Sequence, residues 1–486
     1  MDIVAKSSSD LASLVHLDLK GAPPKVDYYE RLFPLLRVLG ATGLLIEYED
    51  MFPYHGDLEV LAKPEAYSKD EIKRILTLAK EQDLMVIPLI QTSGHLEFVL
   101  KHQKFCEMRE VERFPNAMCL SHTNASNLIL QILNQVLELH PDVQWLHLGA
   151  DEVWHLAECL RCEEKMKEMA WTKGYLFLNH MVTVVQNLQK HHPNIRLIMW
   201  DDMMRHLEEK VIRESEIAKF VEPMVWHYLP PDEFRLGKSF WEKYASIFPN
   251  IWIASAFKGA TDMTQLLTPP SYHLLNHQAW LQLLATELFT AFKCIRGIAL
   301  TGWQRFDHFT VLCELLPVAL PSLALCLQTV IHGQFNSEVH EKASKLLGFK
   351  ELIPLELYPR PKPVVSTPEF PGGEIYVDVQ HLTNIITEYQ ILMHHPSVEG
   401  AFTDYHVANN RTNPLHIDQF LPKARVLLVN MEALNIRLND HLHHIYDAKT
   451  VEEWLAVNVL PCLQKLRHLV RDAEQQNVLN ACISTR

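Results

Sequence analysis

Two adjacent carboxylates, Asp151 and Glu152, are the residues whose spacing most directly suggests chemistry in this chain. Two close carboxylates shift each other's pKa values apart, so one can stay protonated as an acid while the other stays charged. Neighbours in a regular strand face opposite ways, so both side chains reach one pocket only if the strand ends there. Gly149, just before the pair, permits such a break. The structural alternative makes Asp151 a helix N-cap and Glu152 a first-turn residue.

Other polar and aromatic residues follow apolar runs elsewhere in the first two thirds of the chain. They are Lys20, Glu49, His95, Trp200, Asp201, Trp226, Tyr228, Trp303, Arg305 and Asp307. Sugar rings stack on indoles and their hydroxyls need polar partners, while cleavage of a glycosidic bond needs a carboxylic acid to protonate the leaving oxygen. Taken singly, a tryptophan in a strand is more often core, and a strand-end carboxylate often caps the next helix. As a set, these residues indicate a sugar site.

Eight short apolar runs must position these side chains. They begin near Val15, Leu44, Leu84, Gln144, Ile195, Glu222, Ile251 and Arg296. A helix-length stretch follows each of the first seven, which predicts an α/β fold with a (β/α)8 TIM barrel. A doubly wound open sheet would alternate similarly, but no GxGxxG or GxxxxGK[ST] loop follows any run. Because barrel enzymes place reactive groups at the C-terminal ends of their strands, the listed residues should meet at one end.

The remaining sequence predicts two further segments after a catalytic barrel at residues 1–331. Residues 332–375 read as a linker or crossing segment, because 359–373 is dense in proline and glycine. Residues 376–486 contain long amphipathic runs at 424–445 and 451–475 without strand signals, which predicts a helical C-terminal region. The sequence does not reveal the role of this region, and a helical scaffold that forms a homodimer is one possibility.

Composition excludes several classes of partner and site. A net charge of -14 and the lack of a basic run argue against nucleic acid and anionic membranes. The N-terminus has no signal-peptide pattern, so we expect a cytoplasmic or nuclear protein with reduced thiols. Cys159 and Cys162 form a CxxC pair, but no second CxxC or HxxxH follows, so neither a metal nor a cofactor is predicted.

The segment HLGADEVW, residues 147–154, resembles the signature of glycoside hydrolase family 20, the β-N-acetylhexosaminidases. Asp50-Met51-Phe52-Pro53-Tyr54 is similar to an acidic-FPY run of the family, and Gly94-His95 to its Gly-His pair. The three tryptophans that box the N-acetyl group in the family have counterparts in Trp200, Trp226 and Trp303. The resemblance covers about residues 14 to 320, and its specific part is the ordered set of motifs.

The resemblance implies an exo-acting, retaining mechanism without an enzymic nucleophile, on glycans that end in N-acetylhexosamine. In it, the 2-acetamido oxygen attacks C1 to form an oxazolinium, while Glu152 protonates the leaving oxygen and Asp151 orients the acetamide. His95 would support the acidic pair, and the tryptophans would exclude water. An acid that must stay protonated suggests a pH optimum at or below neutrality.

Three departures from the family pattern affect substrate recognition. Lys20 stands where many members have an arginine that grips O3 and O4, which makes N-acetylgalactosamine at least as good a candidate substrate as N-acetylglucosamine. Residues 256–258 lack the usual tyrosine, for which Tyr228 is the substitute candidate, and Asp307 or Arg305 must replace a hydroxyl-binding glutamate. A two-carboxylate glycosidase and a catalytically silent glycan-binding barrel remain as alternatives.

Overall fold

A closed barrel of eight parallel strands forms the first of two compact units in the computed structural model, which describes residues 10–357 and 366–483. The barrel strands are β1 (Ala12–Asp18), β2 (Gly43–Glu47), β3 (Met85–Leu89), β6 (Trp145–His147), β7 (Arg196–Trp200), β8 (Val221–Trp226), β9 (Asn250–Lys258) and β10 (Cys294–Gly302). They pair in sequence order, and β10 closes on β1. The predicted TIM barrel is confirmed.

A two-stranded antiparallel hairpin interrupts the alternation after β3. Its strands are β4 (Arg109–Val111) and β5 (Phe114–Met118). The hairpin is bonded to the loop that follows β3: the Leu96 N–H donates to the Asn116 carbonyl at 3.0 Å, and the Met118 N–H donates to the Ser93 carbonyl at 3.2 Å. The position of the loop after β3 is therefore coupled to that of the hairpin.

Helices connect the strands of the first unit and close it. They are α1 (Val26–Leu39), α2 (Lys69–Glu81), α3 (Glu97–Leu100), α4 (Ala125–Leu139), α5 (Leu160–Met169), α6 (Lys173–His191), α7 (Asp202–Arg205), α8 (Glu209–Ser215), α9 (Lys238–Ile247), α10 (Pro270–Leu283), α11 (Phe289–Ala291), α12 (Leu316–His332) and α13 (Ser337–Leu346), with a π-helical turn at Leu284–Leu288 between α10 and α11. A capping box starts α2, in which the Ser68 hydroxyl accepts from the Glu71 N–H and the Glu71 carboxylate accepts from the Ser68 N–H. This capping box stabilises the first turn of α2.

The barrel interior is filled by side chains rather than open. Its buried core contains Ala12, Leu14, Leu45, Ile87, Leu89, Trp145, Ile198, Trp200, Met224, Trp252, Ala254 and Ala299. Trp145 and Trp252 meet edge to face with ring centroids 5.2 Å apart, a favourable arrangement for aromatic rings. This packed core forms a rigid base for the side chains at the C-terminal ends of the strands.

The first unit ends at Leu355 and the second begins at Glu356. Helix α13, which lies beyond residue 331, packs against α12 in the first unit. The second unit contains α14 (Gly373–Met393), α15 (Pro396–Glu399), α16 (Asp404–Ala408), α17 (Pro414–His443), α18 (Ala448–Asn458) and α19 (Leu460–Ile483). Part of the predicted linker, residues 358–365, lies outside the described residues. Over the described ranges, no helix has the length and apolarity to cross a membrane.

Candidate active site

The chain breaks sharply after β6, as the glycine before the carboxylate pair predicts. Gly149, Ala150 and Glu152 all adopt left-handed backbone conformations, with φ of 58°, 66° and 44°. A Cβ on Gly149 would lie 2.0 Å from the Gln91 side-chain oxygen, so no larger residue fits there. The next helix, α5, begins at Leu160, which excludes the alternative of Asp151 as a helix N-cap. Left-handed non-glycine residues are costly and concentrate at functional sites.

His95 joins the two carboxylates. Its Nε2 lies 3.6 Å from Asp151 Oδ2 and 3.3 Å from Glu152 Oε2. The preceding Gly94 permits this approach, since a Cβ there would lie 2.2 Å from the Asp151 carbonyl oxygen. Asp151 is buried, whereas about a third of the Glu152 side chain, 34%, is exposed. Both carboxylates therefore share one imidazole, and Glu152 is the one open to an incoming molecule.

Burial and charge set the protonation of this triad. Burial raises the pKa of Asp151 to about 7; the His95 charge opposes this shift, and the nearby Asp202 adds to it. Burial alone would lower the pKa of His95, but the Asp151 charge and a hydrogen bond that the imidazole donates to Glu152 outweigh it and raise that pKa to about 10. Near neutral pH, His95 is an imidazolium and Asp151 is close to its titration point.

A cavity of about 300 Å³ opens beside the triad at the C-terminal end of the barrel. Its lining residues are Lys20, Gln91, His95, Asp151, Glu152, Trp226, Tyr228, Gly259, Ala260, Thr261, Trp303, Arg305 and Phe306. Trp226 and Tyr228 stack with ring centroids 5.1 Å apart and an interplanar angle of 27°. The cavity thus combines carboxylates with aromatic faces, as a sugar site requires.

Trp200 lies under the cavity rather than in its lining. Its side chain is fully buried in the barrel core, with its ring centroid 4.4 Å from that of His147 and 6.2 Å from that of Trp303. Trp226 and Trp303 line the cavity. The sequence analysis expected all three tryptophans to surround the sugar. Two of them reach the cavity, but Trp200 packs beneath it because its side chain is directed into the barrel.

Asp201 also lies away from the cavity lining. It is fully buried and accepts two hydrogen bonds from Arg205, at 2.9 and 2.6 Å, and one from Tyr244 at 3.2 Å. Its neighbour Asp202 contacts the functional turn instead, by accepting from the Glu152 N–H at 2.9 Å and from the indole N–H of Trp226 at 3.2 Å. Asp202 is therefore the residue that fixes the Glu152 backbone and the Trp226 ring, whereas the sequence argument selected Asp201.

Lys20 reaches the cavity from the other side, with Glu49 behind it. The Lys20 ammonium is buried and lies 3.3 Å from Asp18 Oδ2, 3.6 Å from Glu49 Oε1 and 5.8 Å from the centroid of the Trp303 ring. Burial disfavours its charge, but the surrounding carboxylates hold the pKa of Lys20 well above its usual value. Glu49 pairs with His308 and does not line the cavity. Lys20 is thus a fixed cation in the cavity wall.

Arg305 and Asp307, the two candidates for binding hydroxyls, are placed differently. Arg305 lines the cavity while donating to the Lys20 carbonyl at 3.1 Å and to the Thr310 carbonyl at 2.9 Å. The Asp307 carboxylate accepts from the Phe309 N–H at 2.7 Å and so shapes its own turn. Gln91 also lines the cavity and donates to the buried Glu47 at 3.1 Å. The sequence prediction did not include Gln91, although its place just after the apolar run of β3 could have indicated a cavity residue.

Comparisons with known proteins identify the family that this chain resembles. Residues 45–233 match the sequence model described as glycosyl hydrolase family 20, catalytic domain. The chain is 42% identical over 468 residues to Hexosaminidase D of Homo sapiens, covering 95% of this chain and 94% of that protein. It is 47% identical over 340 residues to Hexosaminidase D of Bos taurus, covering 70% of this chain and 97% of that protein. A β-N-acetylhexosaminidase from Bacteroides fragilis shares the fold at a TM-score of 0.50 and 14% identity, over 68% of this chain and 69% of that one.

Proposed function

The chain belongs to glycosyl hydrolase family 20 and is a β-N-acetylhexosaminidase acting on N-acetylhexosamine-containing glycans. We propose that it removes terminal, non-reducing β-linked N-acetylgalactosamine or N-acetylglucosamine. We further propose that it does so by retaining, substrate-assisted catalysis. The observation that carries the proposal is the Asp151–His95–Glu152 triad beside an aromatic cavity. A cavity of about 300 Å³ is at the small end of ligand sites, which suits a single terminal sugar.

The proposed reaction has two steps. In the first, the carbonyl oxygen of the 2-acetamido group attacks C1, the bond to the leaving oxygen breaks, and Glu152 protonates that oxygen. Asp151 accepts a hydrogen bond from the acetamide N–H and stabilises the positive oxazolinium. In the second, Glu152 removes a proton from water, which attacks C1 and reopens the ring. Glu152 suits the exchange with the leaving group and water because it is the more exposed carboxylate of the pair.

The resting protonation state needs one rearrangement before this chemistry. With its pKa near 7, Asp151 holds a proton in part of the free enzyme at neutral pH, whereas the first step needs that proton on Glu152. An acetamide N–H that donates to Asp151 favours its charged form, because hydrogen bonding to a carboxylate lowers its pKa. Substrate binding is therefore expected to move the proton to Glu152, with His95 in contact with both groups.

The aromatic residues and Lys20 are proposed to select the sugar. Trp226, Tyr228 and Trp303 offer faces for the ring and the acetamide methyl group. Lys20 is a point charge already held by two carboxylates, so it cannot offer a hydroxyl the planar fork of an arginine. This weaker grip supports tolerance at C4, with N-acetylgalactosamine accepted at least as well as N-acetylglucosamine. Arg305 is the further candidate for contacting a hydroxyl.

The test is a substrate panel on the wild-type protein and two isosteric variants. We would assay p-nitrophenyl β-N-acetylgalactosaminide, the glucosaminide, and the β-galactoside and β-glucoside, which lack the acetamide. Wild type should cleave only the first two, a thiazoline that mimics the oxazoline should inhibit it, and Glu152→Gln and Asp151→Asn should lose activity. Glu112→Gln, a change of an exposed carboxylate on the hairpin, is the control and should keep full activity.

Two outcomes would overturn the mechanism. Comparable turnover of the sugars without an acetamide would indicate a two-carboxylate glycosidase, in which the enzyme supplies the nucleophile. Binding of N-acetylhexosamine by well-folded wild type without turnover would indicate a glycan-binding barrel.

A further inference from the structure

Three cysteines and a glutamate form a cluster outside the cavity, where the β4–β5 hairpin meets the start of α5. The members are Glu110, Cys119, Cys159 and Cys162, whose donor atoms all lie within 4.8 Å of one another. The sequence offered only Cys159 and Cys162 as a pair, with no second CxxC or HxxxH to complete a metal site, whereas the structure places Glu110 and Cys119 beside them. Cys119 is 40 residues before Cys159, so no local spacing rule connects them; the fold brings them together.

Four donor–donor distances in the cluster lie within a few tenths of an ångström of the edges of a tetrahedral metal centre. The Cys119 sulfur lies 3.3 Å from that of Cys159 and 3.7 Å from that of Cys162. Glu110 Oε2 lies 3.5 Å from the Cys159 sulfur and 3.2 Å from the Cys162 sulfur. A tetrahedral zinc with bonds of about 2.3 Å to sulfur and about 2.0 Å to oxygen has edges of roughly 3.5 to 3.8 Å. A disulfide would need about 2.05 Å between sulfurs, so these are separate thiols.

The surroundings orient the donors as a metal site requires. Glu110 is buried, and its Oε1 accepts the backbone N–H groups of Glu158 and Cys159 at 2.5 and 2.7 Å. These bonds fix the carboxylate and leave Oε2 directed at the sulfurs, which is the usual arrangement around a ligating carboxylate. Cys159 is the N-cap of the ten-residue helix α5, so its side chain lies where that helix begins. Ala157 and Leu176 pack around the cysteines.

We propose that Glu110, Cys119, Cys159 and Cys162 bind one Zn²⁺ as a closed structural site. Thiolates with a carboxylate in tetrahedral geometry suit zinc among the available divalent ions. Binding releases the thiol protons to solvent and changes no oxidation state. All four coordination positions are filled by protein, so the ion has no open position for chemistry. The site stands on its own residues and does not depend on the proposed function of the cavity.

The ion would connect the two loops that carry the active-site triad. Glu110 and Cys119 belong to the hairpin region, which is bonded to the loop of His95 through Ser93 and Leu96. Cys159 ends the segment that starts at the Asp151–Glu152 turn. The rings of Phe114 and His155 also stack between these segments, 4.3 Å apart and 7° from parallel. Binding of zinc therefore stabilises the relative position of these loops from outside the cavity.

Metal analysis of the full-length protein tests the site. We would purify the wild type from zinc-supplemented medium without chelators and measure bound zinc by inductively coupled plasma mass spectrometry. About one zinc per chain is expected, with loss to background in Cys119→Ser and in Cys162→Ser. Cys106→Ser, which alters a thiol of the same region outside the cluster, should keep the metal. Retention of zinc by both cluster variants would overturn the assignment.

A second measurement covers variants that fail to fold. Wild type stripped of metal under reducing conditions should take up Co²⁺ and develop the visible and near-ultraviolet bands of a tetrahedral thiolate complex, and Zn²⁺ should then remove them. Wild type that stays folded but binds neither ion overturns the proposal. A Cys119–Cys159 disulfide in the freshly purified protein, seen as a mass about 2 Da lower before reduction, together with no metal uptake after reduction, would also overturn it and indicate a redox pair.

Discussion

The two sides of the cavity differ in how their charged side chains are paired. On the side of β3 and β6, the backbone is in left-handed conformations at His95 and Glu152, and two carboxylates share one imidazole. On the side of β1 and β10, the Lys20 ammonium is held between the carboxylates of Asp18 and Glu49. In the proposed mechanism, the groups that exchange protons share one incompletely paired cluster, whereas the proposed recognition group is fixed by paired charges. The first side should govern rate and the second should govern choice of sugar.

Loss of the acid should produce the largest effect on the rate. Glu152→Gln keeps the shape and removes the transferable proton, so kcat should fall by about 10²- to 10⁴-fold with a β-N-acetylhexosaminide. A substrate with an activated leaving group, such as a dinitrophenyl glycoside, needs less protonation and should recover part of that loss. Steady-state kinetics with both leaving groups measures this difference. Equal losses for both leaving groups would remove Glu152 from the role of acid.

Loss of the Asp151 carboxylate, which is proposed to orient the acetamide, should produce the second-largest effect on the rate. Asp151→Asn removes the charge that stabilises the oxazolinium, and kcat should fall by about 10²- to 10³-fold. The loss should persist with an activated leaving group, because Asp151 does not protonate it. That pattern separates the two neighbouring carboxylates by role. If an activated leaving group restored the activity of Asp151→Asn as much as that of Glu152→Gln, the proposed division of roles between the two carboxylates would be wrong.

The pH profile tests the triad as a unit. The proposed reaction needs one proton on the carboxylate pair, and the pKa of Asp151, raised to about 7, marks where we expect the free enzyme to lose it. We therefore expect kcat/KM to fall as the pH rises above about 7. In His95→Gln, the cation that lowers the pKa of Asp151 is gone, so the alkaline limb should move to higher pH while kcat drops by roughly tenfold. An unchanged limb would show that His95 does not act on the pair.

The smallest effect belongs to the recognition side. Lys20→Arg introduces a planar fork, which should raise the ratio of kcat/KM for one C4 epimer over the other by up to about tenfold. The kcat value for the preferred sugar should change less than in any variant of the triad. Kinetics with the galactosaminide and the glucosaminide provide the ratio. A large fall of kcat for both sugars would contradict the division between the two sides.

The sequence predicted the barrel and the acidic pair because both depend on local patterns. The alternation of apolar runs fixes the eight strands, and Gly149 before two carboxylates indicates the turn. It predicted less well which strand-end side chains reach the cavity. Trp200 ends β7 and Asp201 follows it, but the Trp200 side chain packs into the barrel core and the Asp201 carboxylate pairs with Arg205, so neither lines the cavity. Such outcomes depend on tertiary packing, as does the approach of Cys119 to Cys159.

Substrate-assisted catalysis is tested most directly by weakening the nucleophile in the substrate itself. We would compare p-nitrophenyl glycosides whose 2-acetamido group carries one, two or three fluorine atoms. Fluorine withdraws electrons from the carbonyl oxygen, so kcat/KM should fall stepwise with each added fluorine, and Asp151→Asn should show the same trend from a lower starting value. A rate that does not depend on fluorination would show that the acetamide does not attack C1, and the proposed mechanism would be wrong.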